Sequence, residues 1–155
     1  MHLKRQIGLL NKIGGSLLLL TLLTACSGKS EADKLTKELQ TVTSWAATAE
    51  MTGEAWMQGN VPTAYAKQTL STAQKKLHKQ TEAIAKLSYD PTQLSRILEH
   101  LQLLESTVGQ MSTAVELKDR TALARLDADI TQQLQQLSSQ KQSIKTLAKT
   151  AAGQP

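Results

Sequence analysis

Ser88-Tyr89-Asp90-Pro91-Thr92-Gln93 is the stretch whose reading decides the fold. Asp90 is a competent helix N-cap, Pro91 suits the first helical position because its missing N–H would have no partner there, and Gln93 stands where a capping box needs it. A helix therefore starts at Pro91, and the segment before Ser88 ends there. Two helical segments separated by so short a connection must lie side by side and antiparallel.

Working outward, Leu94, Ile97, Leu101, Leu104, Val108, Met111 and Val115 recur every three or four residues, with Leu98 and Leu103 widening the stripe. This periodicity predicts a helix over 91–116, the most apolar of the set and so the most buried. Upstream, Ala66, Leu70, Ala73, Leu77, Gln80, Ile84 and Leu87 predict a helix over 62–87 whose seam only Gln80 breaks. Gly59-Asn60-Val61-Pro62 precedes it, with Gly fit for a helix C-terminus and Pro for the first turn of the next helix. Before that turn, Leu35, Leu39, Val42, Ala46, Ala49, Gly53 and Trp56 predict a helix over 31–58, capped by Ser30 with Asp33 three residues on. The small residues Ala46, Ala49 and Gly53 would let another helix come close. After Val115, Lys118 and Asp119 mark a turn, with Asp119 as cap. Leu123, Leu126, Ile130, Leu137, Ile144 and Leu147 then predict a helix over 120–151, with Gln133 and Gln140 at seam positions, Leu134 alongside, and a frayed 153–155. The expected fold is all-α, an up-down-up-down antiparallel four-helix bundle over 31–152.

The N-terminal region reads differently. Lys4, Arg5 and Lys12 form a basic head, Ile13 to Leu23 an apolar run, and Ser27-Gly28-Lys29-Ser30 an abrupt return to polarity. This order is that of a secretory signal peptide, here 1–25. The run covers only about a dozen residues, short of the ~20 a spanning helix needs. Leu23-Thr24-Ala25-Cys26 resembles the lipobox of bacterial lipoproteins. That resemblance implies cleavage between Ala25 and Cys26, a diacylglycerol thioether on Cys26, palmitate-type acylation of the new amino group, and a lipid-anchored protein of the bacterial cell envelope. Ser27 rather than Asp after the Cys implies the outer membrane in a Gram-negative cell, with the body facing the periplasm. Residues 26–30 are then a short tether, in which the four residues Ser27 to Ser30 reach at most ~14 Å when extended.

The net charge of +5 shrinks once Lys4, Arg5 and Lys12 are removed, since 18 basic residues become 15 against 13 acidic ones. At +2 the body lacks the electrostatic footprint of a nucleic-acid binder. The single Cys is the one the lipobox takes, so the body holds no disulfide. Charge is divided along the expected bundle: the half nearer the anchor carries eleven Lys and Arg against six Asp and Glu, the far half four against seven. Lys29, Lys34, Lys37, Lys86, Lys145 and Lys149 are candidates for a basic end facing anionic headgroups. Lysines near helix C-termini also answer the helix dipole without any partner.

Chemistry-bearing patterns are few. His78 and His100 lack a helical metal spacing, and neither Glu-x-x-His nor His-Glu-x-x-His occurs. A haem between helices would need one of them with Met51, Met57 or Met111; no metal and no cofactor are expected. Glu50 and Glu54 read as a solvated face, and Asp127 and Asp129, two apart, do not share one. There is no Gly-rich phosphate loop and no Gly-x-Ser-x-Gly. Trp56, Met57 and Tyr65 bracket the far turn, as a partner patch or as a plug on the core. The expected function is a non-catalytic interaction or accessory module with an envelope protein partner. The alternative is a bundle binding an apolar ligand, a metal or an unfolded client. Leu35-Thr36 with Leu39-Gln40 resembles the Leu-Thr-x-x-Gln signature of envelope stress chaperones, with the Gln one position late.

Overall fold

Four helices follow one another in the described chain: α1 (Ile7–Met57), α2 (Thr63–Ala85), α3 (Pro91–Glu116) and α4 (Arg120–Gly153). The computed structural model describes residues 7–153, with side chains for 31–151 and 153. α1 and α3 each pack against both α2 and α4, which is the up-down-up-down bundle that short connections impose. The two diagonals differ: α1 touches α3, while α2 and α4 do not meet.

Small side chains cause that asymmetry. Ala46 and Ala49 are fully buried on α1, and a Cβ placed on Gly53 would stand 2.8 Å from Met111 Cε of α3. The absence of bulk on α1 lets α3 settle into the seam. Around this contact the seam residues Leu35, Leu39, Val42, Leu70, Leu77, Ile84, Leu101, Leu104, Val108, Leu123, Ile130 and Leu137 are almost wholly removed from water. Each large apolar side chain so buried stabilises the fold by ~1.5–3 kcal/mol, set against the entropy of ordering it.

The turns repeat the capping logic of the sequence. Asp90 Oδ1 accepts from Gln93 N at 2.8 Å with Pro91 in the first turn of α3, and Asp119 Oδ1 accepts from Ala122 N at 2.8 Å. The distal ends of α1 and α3 close with one motif. Gly59 (φ 77°) and Lys118 (φ 57°) both adopt the left-handed conformation. Gly59 N donates to Trp56 O and Asn60 N to Ala55 O, just as Lys118 N donates to Val115 O and Asp119 N to Ala114 O. These are paired Schellman closures, one built on the glycine that suits it and one on a lysine.

The structure departs from the sequence reading at several places. α1 does not begin after Ser30: the helix is continuous through 26–30, so Ser30 lies inside it rather than at an N-terminus and the link is helical rather than extended. Gly28 alone, costing about 1 kcal/mol in a helix interior, does not stop it. Pro62 is the extended N-cap of α2 (φ −66°, ψ 151°), not its first helical residue, and α2 ends two residues before Leu87. Leu103 and Leu147 are exposed at 56% and 54%. On α3 the stripe is widened instead by Thr107, which meets Gln133 of α4, and by Ala114, both of them buried.

Candidate functional site

The half of the bundle that holds residues 31–41 of α1 and the C-terminal end of α4 contains a groove of about 890 Å³ between those two helices. Its walls are short side chains, Thr36 and Thr41 on α1 and Ala148 on α4, and the lack of large apolar residues there keeps the helices from closing over it. Lys37, Lys145 and Lys149 rise around it, with Asp33 as the single acidic lining residue. Lys141 Nζ donates to Gln40 Oε1 at 2.6 Å, a clasp between the same two helices.

Of the six expected basic residues, three therefore meet at one groove. Lys34 is instead tied to Glu31 at 2.7 Å, and Glu31 also accepts from Ser88 N at 3.1 Å, joining α1 to the α2–α3 turn. The Lys34 hydrogen bond, outweighing partial desolvation and helped by Ser88 N, holds the Glu31 carboxyl below its ordinary range. Lys86 is the C-cap of α2. The side chain of Lys29, like those of Leu23, Thr24, Ala25 and Cys26, lies outside the described residues.

A second, smaller groove of about 500 Å³ lies on the opposite side, between α2 and α3. Its charges are carboxylates around a histidine: His78 Nδ1 is 3.1 Å from Glu105 Oε1, and His78 Nε2 is 3.6 Å from Glu82 Oε1. The two carboxylates address different ring nitrogens, so they do not converge on one point. Among the described residues no group of three or more His, Cys, Asp and Glu is arranged to hold a metal ion. His100 is buried, its Nε2 without a hydrogen-bond partner, and Met51 is two-thirds exposed.

Glu50, Glu54 and Asp127 form a cluster that the sequence reading missed. Thr131 Oγ1 donates to Glu50 Oε1 at 2.5 Å across α1 and α4, while Asp127 Oδ1 is buried without a partner. A Cβ at Gly53 would lie 3.4 Å from that oxygen, so the carboxyl packs directly against the backbone of α1. Burial first, then the Glu54 and Glu50 charges, pushes the Asp127 carboxyl up to about 6. The available signal was register: Asp127 falls between Leu123 and Ile130 on the seam of α4, whereas Asp129 does not.

At the distal end Trp56 is a plug. It is only 6% exposed, its Nε1 donates to Thr63 Oγ1 at 3.0 Å, and the Arg120 guanidinium sits 5.4 Å from its ring centroid. Met57 packs half-buried against the core and Tyr65 is exposed at 56%. An exposed patch of Trp56, Met57 and Tyr65 is therefore not built, because the largest of the three rings turns inward to close the core. Among the described residues no helix is long and apolar enough to cross a membrane. Comparison of the chain with family models, curated proteins and solved structures returns no match.

Proposed function

We propose that this protein is a lipid-anchored lipoprotein of the bacterial envelope, held by acyl chains on Cys26, whose bundle works as a non-catalytic interaction or accessory module for another envelope protein. The observation that carries the reading is Leu23-Thr24-Ala25-Cys26, set where an apolar run gives way to a polar stretch. One acyl chain binds a bilayer only marginally, whereas two or more, at ~0.8 kcal/mol per buried CH₂, hold it stably. Support for a binding role comes from the body: its apolar stripe is spent on its own core, while Met51, Tyr65, Leu103, Leu117 and Leu147 stay exposed on an otherwise charge-patterned surface.

Radiolabelled palmitate given to cells expressing the wild type or Cys26→Ala tests the anchor. Label in the wild type alone is the expected result, and equal label in both, or in neither, removes the proposal. Cross-linking in intact membranes tests the second half: a discrete adduct is expected, and a clean monomer at every cross-linker length would count against a protein partner.

A further inference from the structure

Lysines at the anchor end of the bundle have a ready explanation in the helix dipole, since α2 and α4 both finish there and helix C-termini favour cations. Lys37 falls outside that account. It lies in the interior of α1, twenty residues short of Met57. It nonetheless faces Lys145 and Lys149 over the α1/α4 groove, and among the described residues none of the three has a carboxylate within ion-pair distance. The groove on the other side of the bundle presents Glu82 and Glu105 instead. Dipoles act along the helix axes and do not generate a difference between opposite faces.

Position identifies the occupant. Eleven helical steps separate residue 26 from Lys37, ~16 Å along the axis of α1. Further out on the same α1/α4 face the sign reverses at Glu50, Glu54 and Asp127, the nearest of them ~36 Å from residue 26. An anionic bilayer surface would attract the first region and repel the second. The continuous helix through 26–30 passes any inclination of α1 to the whole bundle.

We infer that the bundle leans on the bilayer that holds Cys26, with phosphates of anionic headgroups entering the α1/α4 groove between Lys37, Lys145 and Lys149, and the distal end lifted away. This orientation rests on the lipoprotein reading. Each lysine at an anionic surface favours contact by roughly fivefold, and the three together by on the order of a hundredfold.

The test uses the full chain processed by the cell and reconstituted in vesicles. Acylation takes the only native cysteine, so Thr41→Cys in the groove or Gln102→Cys on the α2/α3 side supplies a single thiol for a fluorophore. Quenching by nitroxide-headgroup lipid is read in phosphatidylcholine vesicles with and without roughly a third phosphatidylglycerol. The expected result is at least roughly threefold stronger quenching of the Thr41 label than of the Gln102 label, in the anionic vesicles only, and its loss in about 0.5 M NaCl. Lys37→Gln/Lys145→Gln/Lys149→Gln should abolish the difference, while Lys75→Gln/Lys76→Gln/Lys79→Gln on α2, with the same change in charge, should keep it. Equal quenching of both labels, or persistence in the first triple variant, overturns the inference while leaving the anchor intact. Circular dichroism of each variant separates lost contact from lost fold. Protein that is not acylated and does not stay with vesicles removes the lipoprotein reading itself, and this orientation with it.

Discussion

Arg120, the first residue of α4, holds the end of α1 in two ways: its guanidinium lies 5.4 Å from the Trp56 ring centroid, and its Nη1 donates to the Met57 carbonyl at 2.9 Å. The carbonyl is one that α1 leaves without a helical partner, so one side chain covers a ring face and closes a helix end. Arg120→Ala should cost about 2 kcal/mol in urea unfolding, the low end of the sum of a cation–π contact and a charge-assisted hydrogen bond because the side chain is exposed. With Trp45→Phe as background, acrylamide quenching of Trp56 should be weak in the parent and rise in Arg120→Ala. An unchanged quenching constant would show that the arginine does not cover the ring.

Lys118 occupies the left-handed position that Gly59 fills in the equivalent turn. For a non-glycine residue that backbone costs roughly 1 kcal/mol or more. Lys118→Gly should accordingly raise the stability of the bundle by a few tenths to about 1 kcal/mol, less the added freedom of the unfolded chain. Gly59→Lys should lower it, although no atom stands within 4 Å of the Cβ it would introduce. A thermal melt in which both substitutions were neutral would contradict the strain argument.

Much of the bundle was legible because its boundaries are written in residues with one physical use. Asp90 with Pro91, Gly59 with Pro62, and Asp119 mark turns by local chemistry alone, and the seams between them follow from a period near 3.6. What escaped was set by relations between helices. Leu103 and Leu147 fit the periodicity yet face water, since which edge of an apolar stripe is buried depends on how the partners are rotated. The carboxylates Glu50 and Asp127 are 77 positions apart in the chain and are brought near one another only by the pairing of α1 with α4. Lys37 joins Lys145 and Lys149 through the same helix pairing, which charge counting along the chain does not reveal.

Gln133 reaches across the core to Thr107, its Nε2 donating to Thr107 Oγ1 at 3.0 Å, while Thr107 donates to the Leu103 carbonyl at 3.0 Å. Gln133 Oε1 stays buried without a partner. Removing only the acceptor, as Thr107→Val, strands a second polar atom and should cost about 1–3 kcal/mol. Gln133→Leu removes the stranded oxygen and leaves Thr107 with its own carbonyl, so it should be neutral or stabilising. In the double variant the cost of Thr107→Val should largely vanish. Additive losses in denaturant unfolding would show that the pair is not coupled.

Asp127 makes the stability of the bundle depend on pH in a definite direction. Its carboxyl titrates near 6 in the folded chain, above its ordinary value of 3.8, because it is partly buried and faces Glu54 and Glu50. Below the ordinary value both folded and unfolded chains carry the proton, and the folded state suffers no charge penalty. Between the two values the unfolded chain has lost the proton and the folded one keeps it, so stability falls as pH rises through this window and levels off above about 6. Partial exposure screens the cluster, which reduces the contribution to on the order of 1 kcal/mol. Asp127→Asn should remove the slope over that window and leave the protein more stable at neutral pH than the parent. Melting temperatures of the two chains between pH 4.5 and 7.5, roughly 4 °C per kcal/mol for a domain of this size, measure it. Parallel curves for parent and variant would mean that the two glutamates and the buried oxygen do not sense one another in solution.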